Sequence, residues 1–322
     1  MTTGVVSHHR PAMEPNAAER WMFFDGRFVR EGDVHVNIRA NALHQGTGVI
    51  EGIRAYWNED RRQLHLLEGL AHFQRLRRSA RIIRMELPES PERLVEITLE
   101  LLRRNECREN TYIRPIFFKS GTEMTVDQRV ATDSLAVYTY PLSRFFDGTT
   151  GIRCMVSSWR RIPDCVIPAR AKTTASYLNS VLAKTESVAN GFDEAIMLTY
   201  EGHVCESSTS NVFLLRDGRF VTPGVTEDIL EGVTRRLAMT LIREELGLEV
   251  VERAIDRTEL YGADEMFICG TGIAVVPVVS VDHTPVGDGA VGPHTARLVD
   301  LYDRCVQGDE PRYSHWLVPV YP

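Results

Sequence analysis

The spacing of apolar side chains in the first half of the chain changes between two periods, which predicts strands and helices in mixed order. Residues 21–30 alternate around Asp25-Gly26, a dipeptide typical of two-residue β-hairpin turns. Residues 69–85 and 91–105 repeat apolar positions every three or four residues, which predicts two amphipathic helices. Further strands are predicted at residues 53–57, 63–67, 111–119 and 134–140.

The second half of the chain shows the same mixture of periods. Helices are predicted there at residues 177–190, 232–246 and 293–305. Strands are predicted at residues 152–159, 194–199, 212–215, 249–254, 265–268 and 275–281. Because the hairpins and helices do not alternate as strict βαβ units, the pattern favours an α+β fold in two domains.

The domain boundaries are predicted where this pattern is interrupted. Residues 141–151 carry turn-forming residues between two predicted strands, and they are predicted to form the interdomain linker. The small α+β domain would then span residues 21–140, and the large α+β domain residues 152–322. Residues 1–20 are polar and rich in proline and alanine, which predicts a disordered tail.

Composition limits the classes of function. The chain has 322 residues, of which 43% are hydrophobic and 25% charged, as is typical of globular proteins. A net charge of −7 gives no basic field for a phosphate backbone, which argues against nucleic acid as a partner. No apolar run is long enough to span a bilayer and no signal peptide opens the chain, so we expect a cytoplasmic protein without membrane contact. The six cysteines lack paired spacing and the histidines lack a ligand motif, so no metal site is expected.

Lysine is rare in this chain: among 37 basic residues, only Lys119, Lys172 and Lys184 are lysines. Arginine supplies charge equally well but does not readily lose its proton, whereas a lysine amine becomes a nucleophile once its pKa is lowered. A lysine retained among so many arginines is therefore a candidate for chemistry, with a chance surface lysine as the alternative. Lys172 is the strongest candidate, because it lies outside the predicted helices among small residues that leave room for a planar group.

Two segments in the same half could bind an anion. Residues 231–234 open a predicted helix, whose free N–H groups favour phosphate, and residues 269–272 carry two glycines after a predicted strand. A simple helix cap and a tight turn are the alternatives. Lysine, anion site and carboxylate together are what a pyridoxal-phosphate enzyme requires, because the carboxylate keeps the pyridine nitrogen protonated. The candidates for that carboxylate include Glu194, Glu201, Glu206 and Glu231.

Eight segments of the chain, taken together and in their order along the sequence, form a pattern more specific than any single motif. They are Asn41 to Tyr56, His72 to Leu76, Tyr112 to Pro115, Val156 to Trp159, Ile167 to Tyr177, Cys205 to Asn211, Ile229 to Arg235 and Cys269 to Ile273. In this order the chain resembles the fold-type IV pyridoxal-phosphate enzymes, and among them the branched-chain amino acid aminotransferases. The resemblance implies an α+β architecture of two domains like that of D-amino acid aminotransferase.

The resemblance also implies pyridoxal 5'-phosphate as the cofactor and assigns residues to it. Lys172 would form the Schiff base and transfer the proton. Glu206 would pair with the pyridine nitrogen, and Tyr177 would bind the phenolic oxygen. The residues implied for the phosphate are Arg75, Val233, Thr234 and Thr271. For Arg75, a surface arginine like its neighbours on the helix is the alternative.

On the substrate side, the resemblance implies a tyrosine and an arginine that alternate onto one face of a strand. Tyr112 would help to hold the α-carboxylate, and Arg114 would receive the distal carboxylate of glutamate or 2-oxoglutarate. A core tyrosine with a structural arginine is the alternative. The other substrate residues implied are Gln45, Ile50, Phe145 and Gly272.

Departures from the family pattern concentrate at the substrate residues. Gln45 and Ile50 stand where the family usually has tyrosine and phenylalanine, and residues 207–210 lack two glycines and a glutamate that are usual there. The amide of Gln45 prefers a polar partner. We therefore expect intact cofactor binding, together with a polar or non-proteinogenic substrate in place of plain valine, leucine or isoleucine.

The function implied is an aminotransferase that exchanges an amino group between an L-amino acid and a 2-oxo acid, assembled as a homodimer or a higher homo-oligomer. Another fold-type IV enzyme is the alternative: a D-amino acid or (R)-amine transaminase, or an enzyme like aminodeoxychorismate lyase. The segment from Tyr112 to Pro115 favours the L-specific branched-chain type. A non-catalytic binding module is the least favoured reading.

Overall fold

The computed structural model describes residues 17–142, 146 and 150–322. Most of the predicted tail therefore lies outside the described residues, as do Phe145 and much of the predicted linker. Where the tail is described, Ala17–Glu19 form a short 3₁₀ turn. Within the described ranges no helix has both the length and the apolar character needed to cross a membrane, and no cluster of three or more histidine, cysteine or acidic side chains could hold a metal ion.

The regular elements are named here in chain order. The strands are β1 (Trp21–Phe24), β2 (Arg27–Arg30), β3 (Gly48–Ile50), β4 (Ile53–Asn58), β5 (Gln63–Leu67), β6 (Thr111–Lys119), β7 (Asp133–Pro141), β8 (Ile152–Val156), β9 (Glu194–Leu198), β10 (Val204–Ser207), β11 (Asn211–Arg216), β12 (Arg219–Thr222), β13 (Val250–Glu252), β14 (Glu265–Gly270), β15 (Ala274–Val281), β16 (Thr284–Pro285) and β17 (Leu317–Pro319). The α-helices are α1 (Asn41–Gln45), α2 (Gly69–Ile82), α3 (Pro91–Arg104), α4 (Tyr177–Ala189), α5 (Val233–Glu245) and α6 (Pro293–Gln307).

The first sheet has the strand order β17-β5-β4-β6-β7-β1-β2, with β3 also paired to β6. All of these pairs are antiparallel. Helices α2 and α3 pack on this sheet, because Phe73 of α2 and Leu101 of α3 are fully buried in one apolar core with Leu64 of β5. The hydroxyl of Ser90 accepts a hydrogen bond from Arg93 N and so caps the start of α3.

The second sheet has the order β10-β9-β8-β15-β14-β11-β12-β13, with β16 paired to β15. It is mixed, since β8 runs parallel to both β9 and β15. Leu237 of α5 and Leu301 of α6 pack with Phe213 and Phe267 of the strands in one core. A separate core gathers further side chains of this sheet around Ile196.

The predicted helices and hairpins are present, and the differences concern short elements, among them the five-residue helix α1, which was not predicted. The strand predicted at residues 152–159 ends at Val156, because Ser157 and Ser158 turn to bind the carboxylate of Glu186. The strands β3, β10, β12, β16 and β17 were not predicted. The last of these pairs with β5, so the C-terminal end of the chain belongs to the first sheet. Two to four residues are too few to show a period along the sequence.

Two arginine side chains, Arg54 of β4 and Arg75 of α2, contact loops of the second half of the chain. Arg54 of β4 is buried and donates from Nη2 to Leu142 O at 2.6 Å and from Nη1 to Gly272 O at 3.5 Å. Arg75 of α2 donates from Nη1 to Glu231 O at 2.9 Å, just before α5. The contacts with Gly272 and Glu231 connect loops of the second half of the chain to the first sheet and α2, and a cavity lies between the two sheets.

Candidate functional site

The cavity between the two sheets is walled by segments that lie far apart in the sequence. The predicted site residues that line it are Arg75, Tyr112, Arg114, Lys172, Tyr177, Glu206, Val233, Thr234, Thr271 and Gly272. They come from both sheets and from the helices α2, α4 and α5. Because these segments are distant in the sequence, the residues come together only when the chain folds.

Lys172 is fixed by backbone contacts on both sides. Its N–H donates to Ser79 Oγ of α2 at 3.1 Å, and its carbonyl accepts from Ile50 N of β3 at 3.0 Å. Thr174 N donates to Gly48 O at 2.9 Å, so β3 runs beside the whole lysine segment. The backbone of Lys172 is therefore held at the cavity wall, while its four-carbon side chain keeps the freedom to carry the amine.

Tyr177 opens α4 close to this amine. The Nζ of Lys172 lies 5.3 Å from the centroid of the Tyr177 ring. Burial alone would raise the pKa of the Tyr177 hydroxyl, but the charges of Lys172 and Arg114 outweigh it and lower the pKa below its ordinary value. A phenol of lowered pKa donates a stronger hydrogen bond to an oxygen that carries negative charge.

Arg75 is buried in α2, in contrast to a surface arginine. Its Nε and Nη2 donate to Oε1 and Oε2 of Glu51 at 2.7 and 2.8 Å. The Nδ1 of His72 lies 2.9 Å from the same Oε2. Burial alone would raise the pKa of Glu51, but Arg75 and His72 outweigh it and hold the pKa well below its ordinary value. The Arg75–Glu51 pair is therefore ionised inside the protein.

Free backbone N–H groups adjoin Arg75. Helix α5 begins after Gly232, where a Cβ atom would lie only 2.1 Å from Asn211 Oδ1. Val233 and Thr234 form the first turn, whose N–H groups have no acceptor within the helix and favour an anion. Gly270 also lines the cavity and is packed less tightly, since its Cβ would lie 3.0 Å from Ser210 Oγ. Bare backbone and a buried cation together suit a phosphate.

Glu206 lies buried on β10. Its Oε1 is 3.0 Å from Nη2 of Arg161, and its Oε2 accepts from Leu230 N at 3.1 Å and from Asn211 Nδ2 at 3.3 Å. Burial raises the pKa of Glu206, although Arg161 acts in the opposite direction. A carboxylate in this environment can accept a hydrogen bond from a protonated ring nitrogen.

The other carboxylate candidates are engaged elsewhere or stand apart from the cavity wall. Glu194 pairs with Lys184 at 2.8 Å, and Glu231 pairs with Arg170 at 2.6 Å. Glu201 lies on an exposed turn. Of the four, Glu206 alone is among the described residues that line the cavity. Geometry therefore favours Glu206 among the candidates that the residue types left open.

Tyr112 and Arg114 lie side by side on β6, with Nη2 of Arg114 donating to the Tyr112 hydroxyl at 3.1 Å. Tyr112 stacks on Tyr140 of β7, with ring centroids 5.0 Å apart. Burial raises the pKa of the Tyr112 hydroxyl, which keeps it protonated. Gly52 provides the space for it, since a Cβ there would lie 1.9 Å from the hydroxyl oxygen. A hydroxyl donor beside a cation is suited to carboxylate groups.

Two predicted substrate residues do not reach the cavity wall. Gln45 is exposed at the end of α1, and its Nε2 donates to Thr125 O at 2.8 Å. Ile50 is buried in β3, and it supports the site through its backbone bond to Lys172. Both are neighbours of the site along the chain, but neither side chain lines the cavity. Their role in substrate choice stays a prediction, and Phe145 lies outside the described residues.

Sequence reasoning missed the residues that support the predicted ones. Glu51 and His72 could have been found, because each lies in one of the segments that carry the family resemblance. In addition, His72 precedes Arg75 by one helical turn. Arg161 left no such signal, since it is one of 37 basic residues and lies far along the chain from Glu206. Its function as an ion-pair partner follows from the fold.

The chain is similar to known proteins over most of its length. Residues 48–281 match the family described as amino-transferase class IV. A probable branched-chain-amino-acid aminotransferase of Aquifex aeolicus is 46% identical over 299 residues, which are 93% of this chain and 96% of that protein.

Solved structures show the same similarity. The branched-chain aminotransferase of Thermoproteus uzoniensis with norvaline has a TM-score of 0.90 at 39% identity, and the match covers 94% of this chain and 99% of that one. The branched-chain amino acid aminotransferase of Thermobaculum terrenum in its PLP form has a TM-score of 0.90 at 36% identity, with 95% and 100% covered.

Proposed function

Because the chain belongs to the class IV aminotransferases, we propose that the cavity between its sheets is where it exchanges an amino group between an L-amino acid and a 2-oxo acid. The chain is a pyridoxal-phosphate-dependent aminotransferase similar to the branched-chain type. The observation that supports this location is that Lys172, Arg75 and Glu206 line one cavity.

The residues of this cavity fit the cofactor at each of its functional groups. Pyridoxal 5'-phosphate supplies a ring that withdraws electrons from the α-carbon of a bound amino acid. Lys172 offers an amine for the aldehyde carbon, and Glu206 a carboxylate for the pyridine nitrogen. Arg75 and the first turn of α5 offer donors for the phosphate, together with Thr271. The bare backbone at Gly232 supports this assignment, because a side chain there would collide with Asn211.

Lys172 is also assigned the transfer of the substrate α-proton. Its backbone is anchored to α2 and β3, so the movement required of the amine falls to the flexible stem. Tyr177, with its lowered pKa, would hold the phenolic oxygen of the cofactor and so keep the ring oriented toward the lysine. Arg161 would keep Glu206 ionised in its buried position.

Glutamate and 2-oxoglutarate are proposed as one half of the exchange. The Tyr112 hydroxyl would hold the α-carboxylate, and Arg114 the distal carboxylate. Gly272 lines the same cavity, and Arg54 donates to its carbonyl. Two donors on one strand fit a dicarboxylate, because each can bind one of its carboxylate groups. A substrate with an aliphatic side chain has only the α-carboxylate.

A specialised polar substrate is the second candidate for the other half of the exchange. The hydroxyl residues Ser208, Thr209 and Ser210 line the cavity, and the family pattern has a glycine in place of Thr209 and a glutamate in place of Ser210. They leave a wall with hydroxyl donors and acceptors, which favours a polar side chain. Gln45 and Ile50 lie outside the cavity wall of a single chain, and they would influence the choice of substrate from there.

We propose that the chain works as a homodimer or a higher homo-oligomer in the cytoplasm. Exposed apolar side chains occur around α1 and α4: Leu43, Met124, Val126, Leu178 and Val181. The two helices are linked there by close contact of Gly46 with Ala175. A second copy covering this face, called here the α1–α4 face, would bury these side chains. All six cysteines are free thiols, which suits a reducing compartment.

The experiment that tests the function is a half-reaction screen. The purified cofactor-loaded protein is mixed with L- and D-amino acids and with (R)-amines, and the change in the visible spectrum is followed. L-amino acids are expected to convert it, and 2-oxoglutarate to convert it back. Conversion by D-amino acids or (R)-amines alone, or turnover without any oxo acid, would contradict the proposal. If valine, leucine and isoleucine are clearly the best amino donors, the proposal of a polar substrate is wrong.

A further inference from the structure

We propose that Glu51 is a positioning residue that makes the cavity selective for a phosphorylated cofactor, because it holds the guanidinium of Arg75 in one orientation. The inference rests on the proposed function, in which Arg75 binds the phosphate. It adds a residue that does not itself line the cavity among the described residues.

The contact between the two side chains is made at two points. Nε and Nη2 of Arg75 donate to separate oxygens of Glu51 at 2.7 and 2.8 Å. Such a side-on pair fixes both the position and the plane of the guanidinium. Glu51 is itself held by its backbone, since its N–H donates to Pro115 O at 3.0 Å. The orientation of Arg75 is therefore set by β6 through Glu51.

The hydrogen bonds that Arg75 makes to the protein use only some of its N–H groups. A guanidinium carries five N–H groups. Two of them go to Glu51, and one on Nη1 goes to Glu231 O at 2.9 Å. One N–H on each terminal nitrogen has no acceptor among the described residues and stays available to a ligand in the cavity that Arg75 lines. This pair of donors matches two oxygens of a phosphate.

His72 completes the arrangement on the far side of Glu51. Its Nδ1 lies 2.9 Å from Oε2, and the ring is buried. Burial lowers the pKa of His72 even though Glu51 acts in the opposite direction, so the ring is neutral and donates through Nδ1–H. Glu51 and Arg75 then balance each other in charge, and the trio adds no net charge to the cavity. Its contribution to phosphate binding is directional.

Glutamine cannot replace Glu51 in this geometry. Within the described ranges, Oε1 accepts from Arg75 alone, and Oε2 accepts from Arg75 and His72 and, at 3.3 Å, from Gly52 N. In either orientation the amide NH₂ of a glutamine would face a donor. Glu51→Gln therefore removes the two-point contact while it keeps the volume of the side chain.

The test compares pyridoxal 5'-phosphate with pyridoxal, which lacks the phosphate. Both are titrated into cofactor-free wild type and E51Q, and dissociation constants are read from the visible spectrum. We expect E51Q to weaken binding of pyridoxal 5'-phosphate by at least about tenfold and to leave pyridoxal binding within about twofold. An equal loss for both ligands, or no loss for either, would overturn the proposal, because a merely structural defect does not distinguish them.

Glu265→Gln is the matched control. Glu265 is a buried glutamate of β14 whose oxygens accept from His294 N and Thr295 N at the start of α6, away from the cavity wall. This variant should keep the wild-type preference for the phosphorylated ligand. If E265Q loses the preference for the phosphorylated ligand to the same extent, the effect follows from changing any buried glutamate, and the proposal is overturned.

A second pair of variants covers the case in which E51Q does not fold. His72→Phe removes one donor to Glu51, whereas His72→Asn retains a donor near the Nδ1 position. H72F should lose part of the preference for the phosphorylated ligand, and H72N should retain it. Equal behaviour of the two would contradict the proposal. A wild type that binds neither ligand would instead contradict the proposed function, so the two failures are distinguishable.

Discussion

Arg161 and Glu206 form a buried ion pair, with Nη2 of the arginine 3.0 Å from Oε1 of the glutamate. Burial raises the pKa of Glu206, and Arg161 is the largest of the influences that lower it. The arginine is thus what keeps a carboxylate charged where the pyridine nitrogen is proposed to lie.

Arg161→Met should therefore raise the pKa of Glu206 further and reduce kcat by about tenfold to a hundredfold at neutral pH. The ionised fraction of Glu206 rises with pH, so the activity of R161M should recover toward alkaline pH. A pH profile of kcat measures this. R161K should restore part of the activity. Arg253→Met, which breaks an ion pair with Glu259, serves as the control. A uniform loss across pH would contradict the assignment.

Lys172→Ala should abolish the exchange, with a loss of at least about 1,000-fold, because no other amine lines the cavity in the described part of the chain. Steady-state rates and covalent trapping with borohydride, followed by peptide mass analysis, check this. Lys184→Arg is the control, since Lys184 bonds to Glu194 and Asp193 O outside the cavity. A label on any peptide other than that of Lys172 would refute the assignment.

Gly52→Ala should displace the Tyr112 hydroxyl, because the new Cβ would lie 1.9 Å from it. We expect kcat/KM to fall by about a hundredfold, with much of the change in KM, since a small misplacement of a binding group is costly. Gly262→Ala is the matched control, because a Cβ there meets nothing within 4 Å. An unchanged KM for both substrates in G52A would rule out Tyr112 as a substrate-binding residue.

Glu51 should also contribute to the pH dependence of stability. Its pKa is lower in the folded protein than in the unfolded chain, where it is about 4.5. Its contribution is therefore present above the unfolded pKa and is lost as pH falls toward the folded value. We expect the unfolding free energy of E51Q to be about 3 kcal/mol below wild type at pH 7, and the difference to shrink below about pH 4. Urea unfolding at several pH values tests this. A constant difference would show that the charge of Glu51 is not the cause.

The α1–α4 face should carry the contact between subunits. Leu178 and Val181 are exposed one turn apart on α4. The double variant L178E/V181E should shift the protein to monomer in light scattering after gel filtration, because it places two charges in an apolar contact. Ile82→Glu, on the exposed end of α2, is the control and should leave the mass unchanged. An unaltered oligomer in the double variant would exclude this face.

Sequence patterns predicted the elements that are long enough to show a period. Helices α2, α3, α5 and α6 bury one face along their whole length, so their apolar spacing is visible in the chain. The strand β17 has three residues and is stabilised by pairing with β5. Its position depends on a partner some 250 residues away, which no local pattern records.

For the site, the sequence by itself determined which chemical groups are present and which motifs carry them: a scarce lysine, glycines that expose backbone N–H groups, and the paired Tyr112 and Arg114. Only the tertiary structure decided which of several carboxylates lines the cavity with Lys172, that Glu51 pairs with Arg75, and that Gln45 stays outside the cavity wall. Motif spacing records covalent neighbours, whereas burial, ion pairing and the pKa of a group depend on residues that the fold brings together from distant parts of the chain.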